Sequence, residues 1–269
     1  MDKIINERAI KTRQKIQQQE QIRMTEINKY IKFKITQKNN NSYNPDMNGK
    51  KYLVIMACHT STKLKLEVLR KNLKYFSFNC VDTVVVNSKN LPFNNQVNEI
   101  CNNHSNVKYY EKDNEMSLDF GKWYWILPQL EYNNYDYIIL TNDSFIIENP
   151  INHYLNLMHK FNVDLYGYND STQVRYHYQS YLFGLKRNAI PTFLNRVKAA
   201  LPQMKSYMGV VLNCEVKMTD WFPNHKCFLK IGEHPLNRDK NIFAINDRVY
   251  LPLKAAKILP FTKVKRLQK

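Results

Sequence analysis

A few short segments of this chain carry side chains able to act on a polar, charged substrate. In YDYIILTNDSFI, an apolar run delivers Asn142, Asp143 and Ser144 to its polar end. A carboxylate placed there can hold a divalent cation, Mn or Mg, against a diphosphate leaving group. The same trio is also what a turn or helix cap uses. In NEMSLDFGKWYWIL, Asp119 stands just before an aromatic helical stretch, and Gly121 admits close approach of another group. Asp119 can accept from ribose or sugar hydroxyls, or serve as an N-cap. In YHYQSYLFG, His177, Gln179 and Tyr181 alternate with Tyr178, Ser180 and Leu182. A strand would therefore carry His, Gln and Tyr on one face, a set suited to hydroxyl recognition. A structural histidine fits the same pattern. In NCEVKMTDWF, Glu215 starts a short helix after the last main strand. It can take the proton of an acceptor hydroxyl, or simply favour a helix N-terminus.

These residues need a scaffold that gathers them. From Lys51 onward, apolar runs alternate with segments of helical period. KYLVIMA is a strand ending in the polar loop CHTSTK, with His59, Thr60 and Ser61. LKLEVLRKNLKYF is helical, VDTVVVNS and VKYYEK are strands, and LDFGKWYWILPQL is a helix. YDYIILTND is a strand, INHYLNLMHKF a helix, VDLYGYND a strand ending at Asp170, and YHYQSYLFGLK a further strand. Strands alternating with helices predict an α/β, doubly wound, mainly parallel sheet. Ligands in such sheets bind beyond the carboxyl ends of the strands. The CHTST, TNDS and YND segments all fall there.

The first 47 residues read differently. Residues 1 to about 38 hold no Pro or Gly, and Ile16, Ile22, Met24, Ile27 and Ile31 recur at roughly helical spacing. They predict a basic helical extension, followed by the linker KNNNSYNPDMNGK. Such a helix either packs as an appendage, on its own domain or in a homodimer, or lies on a membrane surface or an acceptor.

Composition narrows the classes. The chain has 269 residues, 43% hydrophobic, enough for one large domain with a core. Six glycines argue against a glycine-rich nucleotide loop. The net charge of +17 attracts polyanions or phosphate-bearing ligands. The basic residues are not gathered into one block, and nucleic acid is not expected as a partner. Cys58, Cys80, Cys101, Cys214 and Cys227 form no CxxC pair and no zinc spacing. With no apolar core near the start and no run of about 20 apolar residues, the expectation is a cytoplasmic protein with free thiols and no transmembrane segment.

The segments LDFGKWYWIL, YDYIILTNDSFI, DLYGYNDS and HYQSYLFGLKRNAI, in that order, resemble the rhamnan synthesis protein F family of GT-A-like glycosyltransferases. The resemblance runs from about Tyr52 to about Leu229. It implies a GT-A (Rossmann-like) fold over residues 48–269 and nucleotide-sugar binding at the strand ends. Asp119, Asp143, His177 and Gln179 occupy the family's motif positions, and NCEVKMTDW is similar to the segment that supplies the base in inverting relatives. One departure stands out: where metal-dependent GT-A enzymes carry Asp-x-Asp, this chain has Thr141-Asn142-Asp143. His225 or His234 could complete a metal site with Asp143.

The assignment that follows is a sugar transfer from a UDP-, GDP- or dTDP-sugar to a saccharide acceptor, in polysaccharide or glycan assembly. Glu215 and Asp143 are the catalytic pair. His59, Thr60, Ser61, Asp119, Gly121, Lys122, Asn142, Asp143 and Ser144 serve the donor. Asp170, His177, Gln179 and Ser180 serve the sugar or acceptor, and Asp143 with His234 the metal. A retaining transferase of the same fold and a non-enzymatic polyanion-binding protein are the alternatives.

Overall fold

The computed structural model describes residues 51–76, 81–149, 151–230, 254–255 and 261–264, with residues 12–15, 17–18, 21, 25 and 29. Those early positions are helical and exposed. The rest of the expected N-terminal helix, the 38–50 linker, Cys80 and His234 lie outside the described residues.

In chain order the elements are β1 (Tyr52–Cys58), α1 (Lys63–Phe76), β2 (Val81–Ser88), α2 (Asn94–Asn102), β3 (Val107–Lys112), α3 (Leu118–Ile126), β4 (Tyr137–Asn142) and β5 (Phe145–Ile147). Then come α4 (Asn152–Phe161), β6 (Leu165–Ser171), β7 (His177–Tyr178), β8 (Leu182–Lys186), α5 (Ile190–Ala200), α6 (Tyr207–Val210), β9 (His225–Leu229) and β10 (Phe261–Lys263). The central sheet runs β3-β2-β1-β4-β8-β6, with β7 and β9 also on β6. Strands β1 to β4 pair in parallel. β8 is antiparallel to both β4 and β6, and β9 is parallel to β6. This is the doubly wound, mainly parallel α/β sheet that the sequence predicts.

β1 explains why the sheet is covered on both sides. All seven of its residues are buried, the continuous apolar pattern of a central parallel strand. Its residues alternate between two cores. Tyr52, Val54, Met56 and Cys58 pack with Leu69, Leu73 and Phe76 of α1 and Tyr154 of α4. Leu53, Ile55 and Ala57 pack with Trp123 of α3 and Phe193 of α5.

One expectation is corrected and one element is added. YHYQSYLFGLK is not one strand: it breaks between β7 and β8, with a turn at Gln179–Tyr181. Of the expected His/Gln/Tyr face, His177 and Gln179 stay together while Tyr181 leaves it, donating its hydroxyl to Asn169 Oδ1. The segment NNQVNEICN forms α2, a helix not expected from the sequence; only Val97, Ile100 and Cys101 are buried on it, too few apolar positions to announce a period.

Asn72 fastens α1 to the edge strand β5. Fully buried, it donates to Phe145 O at 2.9 Å and accepts from Ile147 N at 2.8 Å. It completes the backbone bonding of the segment that leaves Asp143. Replacing Asn72 with Ala would orphan a buried carbonyl and a buried amide. A cost of about 1–3 kcal/mol for each group is expected, read as a lower urea midpoint with unchanged m-value.

Candidate active site

The carboxyl ends of β1, β2 and β4 meet in one polar cluster. Asp143, 6% exposed, lies just beyond β4. Its Oδ2 accepts from the His59 amide at 2.8 Å. Its Oδ1 lies 2.6 Å from Lys65 Nζ, which also donates to the Asp143 main-chain oxygen at 2.9 Å. The β1 loop is held from the other side by β2: Asn87 Oδ1 accepts from Thr60 N at 3.0 Å, and Ser88 Oγ lies 3.0 Å from His59 Nδ1. Ser61 N closes a tight turn onto His59 O at 3.0 Å.

Asn142 connects this cluster to α3. Its Nδ2 donates to Asp119 Oδ2 at 2.7 Å, while its Oδ1 accepts from Ser144 N at 3.0 Å and Ser144 Oγ at 2.6 Å. Asp119 sits in the first turn of α3, directly after Leu118, whose φ of 50° is left-handed. A bulky residue in that region stores strain, which tends to accumulate at functional sites. Burial raises the Asp119 carboxyl pKa; the Lys122 ammonium opposes this and the Asp143 charge adds to it. Burial also pushes the Cys58 thiol well up, so it is not a nucleophile.

Gly121 and Lys122 sit in the same turn. A Cβ on Gly121 would fall 1.9 Å from Ser117 Oγ. The close approach that this glycine permits is to its own helix start. Lys122, 4% exposed, donates to Cys58 O at 2.6 Å. It supports the β1 loop from beneath.

A second cluster forms around Glu215. This residue does not start a helix after the last strand. It ends a π-helical turn, Val211–Glu215, which follows α6, and β9 comes later. Glu215 Oε2 accepts from Ser180 Oγ at 2.5 Å, and Oε1 accepts from Gln179 Nε2 at 3.2 Å. His177 Nε2 is 3.6 Å from Glu215 Oε1 and 3.3 Å from Gln179 Nε2. His177 Nδ1 faces Arg175 O at 2.8 Å, which fixes the proton there and leaves Nε2 as the acceptor in the neutral ring. Asp170 is fully buried at the end of β6, opposite Tyr178. The broken strand thus brings His177, Gln179 and Ser180 onto one carboxylate. The two clusters adjoin through the turn between β7 and β8, where Tyr181 O accepts from Asn142 N at 3.3 Å and Thr141 Oγ1 at 2.9 Å.

Three contributors escaped the sequence. Lys65 is one of several lysines on α1 and has no motif around it. Lys263 comes from β10, more than a hundred residues away from its partner Ser144 Oγ at 2.7 Å, and lies 3.7 Å from the Tyr181 ring centre. Tyr207 of α6 is 64% exposed. Partial shielding raises its phenol pKa, and Glu215 and then Asp119 add to the shift, which places Tyr207 in the field of both clusters.

Metal binding can be judged from the donor set. The carboxylate that would have to ligate the ion has both oxygens engaged, one by an ammonium. Among the described residues no group of three His, Cys, Asp or Glu could hold a metal ion. His225 Nδ1 is 2.6 Å from Tyr178 OH. As arranged, these residues do not fit a divalent cation. Among the same residues, no helix is long and apolar enough to cross a membrane; Cys58, Cys101, Cys214 and Cys227 are free thiols.

No protein-family model matches the chain, and no curated protein matches it in sequence. Solved structures share its fold distantly. S. aureus TarS in complex with UDP has a TM-score of 0.48 and 13% identity, over 68% of this chain and 58% of that one. A mannosyltransferase from Pyrobaculum calidifontis, in complex with GDP-Man and Mn2+, has a TM-score of 0.48 and 10% identity, over 80% of this chain and 68% of that one. A 4-diphosphocytidyl-2C-methyl-D-erythritol synthase from Anaerococcus prevotii has a TM-score of 0.45 and 10% identity, over 83% and 98%. The chain thus spans little more than half of the TarS chain. At these identities no residue role follows from the neighbours.

His59 gives the site a pH signature. Partial burial lowers its pKa, the Lys122 ammonium lowers it further, and Asp143 opposes. The unfolded chain therefore takes up this proton near the usual value of about 6.5, before the folded chain does. Stability is complete above that pH and is lost as pH falls through the lowered folded value. His225, also lowered by burial, acts in the same direction. His59→Asn should show a smaller drop in urea midpoint between neutral and mildly acidic pH than the wild type.

Proposed function

We propose that this chain is a glycosyltransferase that moves a sugar from a nucleotide-sugar donor to a hydroxyl of a saccharide acceptor. The observation that supports this most directly is the pairing of two polar clusters at the sheet's carboxyl edge. One holds the Lys65 ammonium beside Asp143 at the start of α1, suited to a nucleoside diphosphate. The other is built on a half-open carboxylate, Glu215, held by Ser180 and Gln179.

The finer reading is an inverting displacement. The acceptor oxygen forms a bond to the anomeric carbon while its proton passes to Glu215. The bond from that carbon to the diphosphate breaks, and its electron pair leaves with the nucleoside diphosphate. Glu215 is the better base of the acid–His pair because its side chain is 21% exposed, against 3% for His177. His59, Thr60 and Ser61 of the β1 loop, with Asp119, hold the nucleoside side of the donor, and His177 and Gln179 orient the sugar or acceptor. Holding both reactants in line and fixing dipoles around them supplies most of the acceleration.

Residues 48–269 form the catalytic domain in this reading; β10 returns to pair with β5, which supports placing the last residues inside it. Membership in the rhamnan synthesis protein F family, a role in polysaccharide assembly and a cytoplasmic location belong to the same proposal. Mn or Mg at Asp143 is its least supported part, because Lys65 already occupies the oxygen the ion would need.

The test is donor binding followed by turnover. UDP-, GDP- and dTDP-sugars should be screened for a raised melting midpoint, since a ligand that binds only the folded state stabilises it by mass action. Asp143→Asn should abolish that shift. Glu215→Gln should lower kcat by about 100- to 10,000-fold with donor affinity nearly unchanged, and NMR of the product should show the anomeric configuration inverted. Retained configuration would point to a retaining transferase, in which Glu215 is not the base.

A further inference from the structure

We infer that the Lys65 ammonium takes the place of the divalent cation, so that a protein side chain rather than a metal ion contacts the donor diphosphate. This rests on the donor site proposed above and goes beyond it. Three observations carry it.

The first is geometric. Lys65 Nζ lies 2.6 Å from Asp143 Oδ1 and 2.9 Å from the Asp143 main-chain oxygen. Those are the oxygens that a cation serving Asp143 would have to take. The other carboxylate oxygen is engaged by the His59 amide at 2.8 Å, so an incoming ion would have to displace an ammonium or strip an amide of its acceptor.

The second is the hydrogen-bond capacity of the ammonium. It has three donors. Two are spent on Asp143, and among the described residues no other acceptor takes the third. The Lys65 side chain is 23% exposed, while that of Asp143 is 8% exposed. The cation is therefore the more open member of the pair and can offer its remaining proton to a diphosphate oxygen.

The third is the position of the lysine in its helix. Lys65 lies in the first turn of α1, which holds no acidic residue. A helix N-terminus disfavours cations and favours anions. A lysine there is unfavourable to the helix dipole, and its pairing with the Asp143 carboxylate offsets this. A diphosphate beside the α1 N-terminus would meet the dipole and the ammonium together. The departure from Asp-x-Asp at Thr141-Asn142-Asp143 agrees with this: Thr141, in place of the first carboxylate, donates to Tyr181 O.

The experiment uses the full chain with UDP, GDP and dTDP as probes, in calorimetry with a chelator or with added Mn2+. For the nucleotide that binds, the wild-type affinity should be the same in both buffers. Lys65→Met, which keeps length without charge, should weaken binding by about 10- to 100-fold, the worth of one charged hydrogen bond. Lys65→Arg should restore most of the loss. Mn2+ paramagnetic resonance should show free ion with the wild type in the absence of nucleotide. Circular dichroism checks that each variant is folded. Wild-type binding that requires Mn2+, or unchanged nucleotide affinity in a folded Lys65→Met, overturns the inference while leaving the donor site in place. Absence of binding by all three nucleotides in both buffers overturns the donor site itself, and this inference with it.

Discussion

A sheet buried on both faces leaves its polar chemistry one outlet. The strands β1, β2 and β4 are buried along nearly their whole length because helices cover both sides. Backbone amides and polar side chains without a strand partner therefore collect at the carboxyl edge. Parallel pairing places the ends of β1 and β4 in register, so that Ala57 faces Asn142. His59 and Asp143, just past those ends, become neighbours for that reason alone. Every feature of the candidate site depends on this edge.

Asp143 then organises the edge. A carboxylate with only 6% of its surface exposed would raise the energy of the fold unless its charge were matched. Lys65 and the His59 amide match it. That pairing fixes the start of α1 against the end of β4, and Asn72 fixes the same helix to β5 two residues further on. The site is rigid because the residues that solvate Asp143 are also those that dock the helix. Lys122, beneath the loop, adds a second buried cation on the Cys58 carbonyl. Part of the +17 charge is thus local to the edge rather than spread on the surface.

The second cluster has a different origin. β8 runs against β4, so the chain must reverse before it; it does so between β6 and β7, and β7 and β8 then run the same way along β6 with their pairing offset at Gln179–Tyr181. Tyr181 then belongs to the aromatic core, 5.3 Å from Phe145 and 5.4 Å from Phe261 by ring centres. Gln179 and Ser180, just before it, are left facing Glu215. The far end of the chain contributes through the same core, since Phe261 anchors β10 and brings Lys263 to Ser144. One hydrophobic packing event therefore sets the spacing between the two polar clusters.

The main strands of the parallel sheet and several of its helices were legible from the order of apolar runs, because burial on both faces leaves a mark in composition that needs no partner to be read. Asp143, Asn142 and His59 were legible as edge residues for the same reason: polar side chains directly after an apolar run have only the strand end to occupy. The sequence could not place Lys65, since one lysine among several on an amphipathic helix differs from the rest only by what lies opposite. Nor could it divide YHYQSYLFGLK into two strands, because the interruption between them depends on where Tyr181 finds its pocket. Glu215 was picked out by type, yet its hydrogen bonds to Gln179 and Ser180, some 35 residues away, come from long-range packing. Local patterning determined which residues reach the edge; tertiary contacts decided which of them touch, because the energy of a buried charge depends on a partner that the neighbouring sequence does not contain.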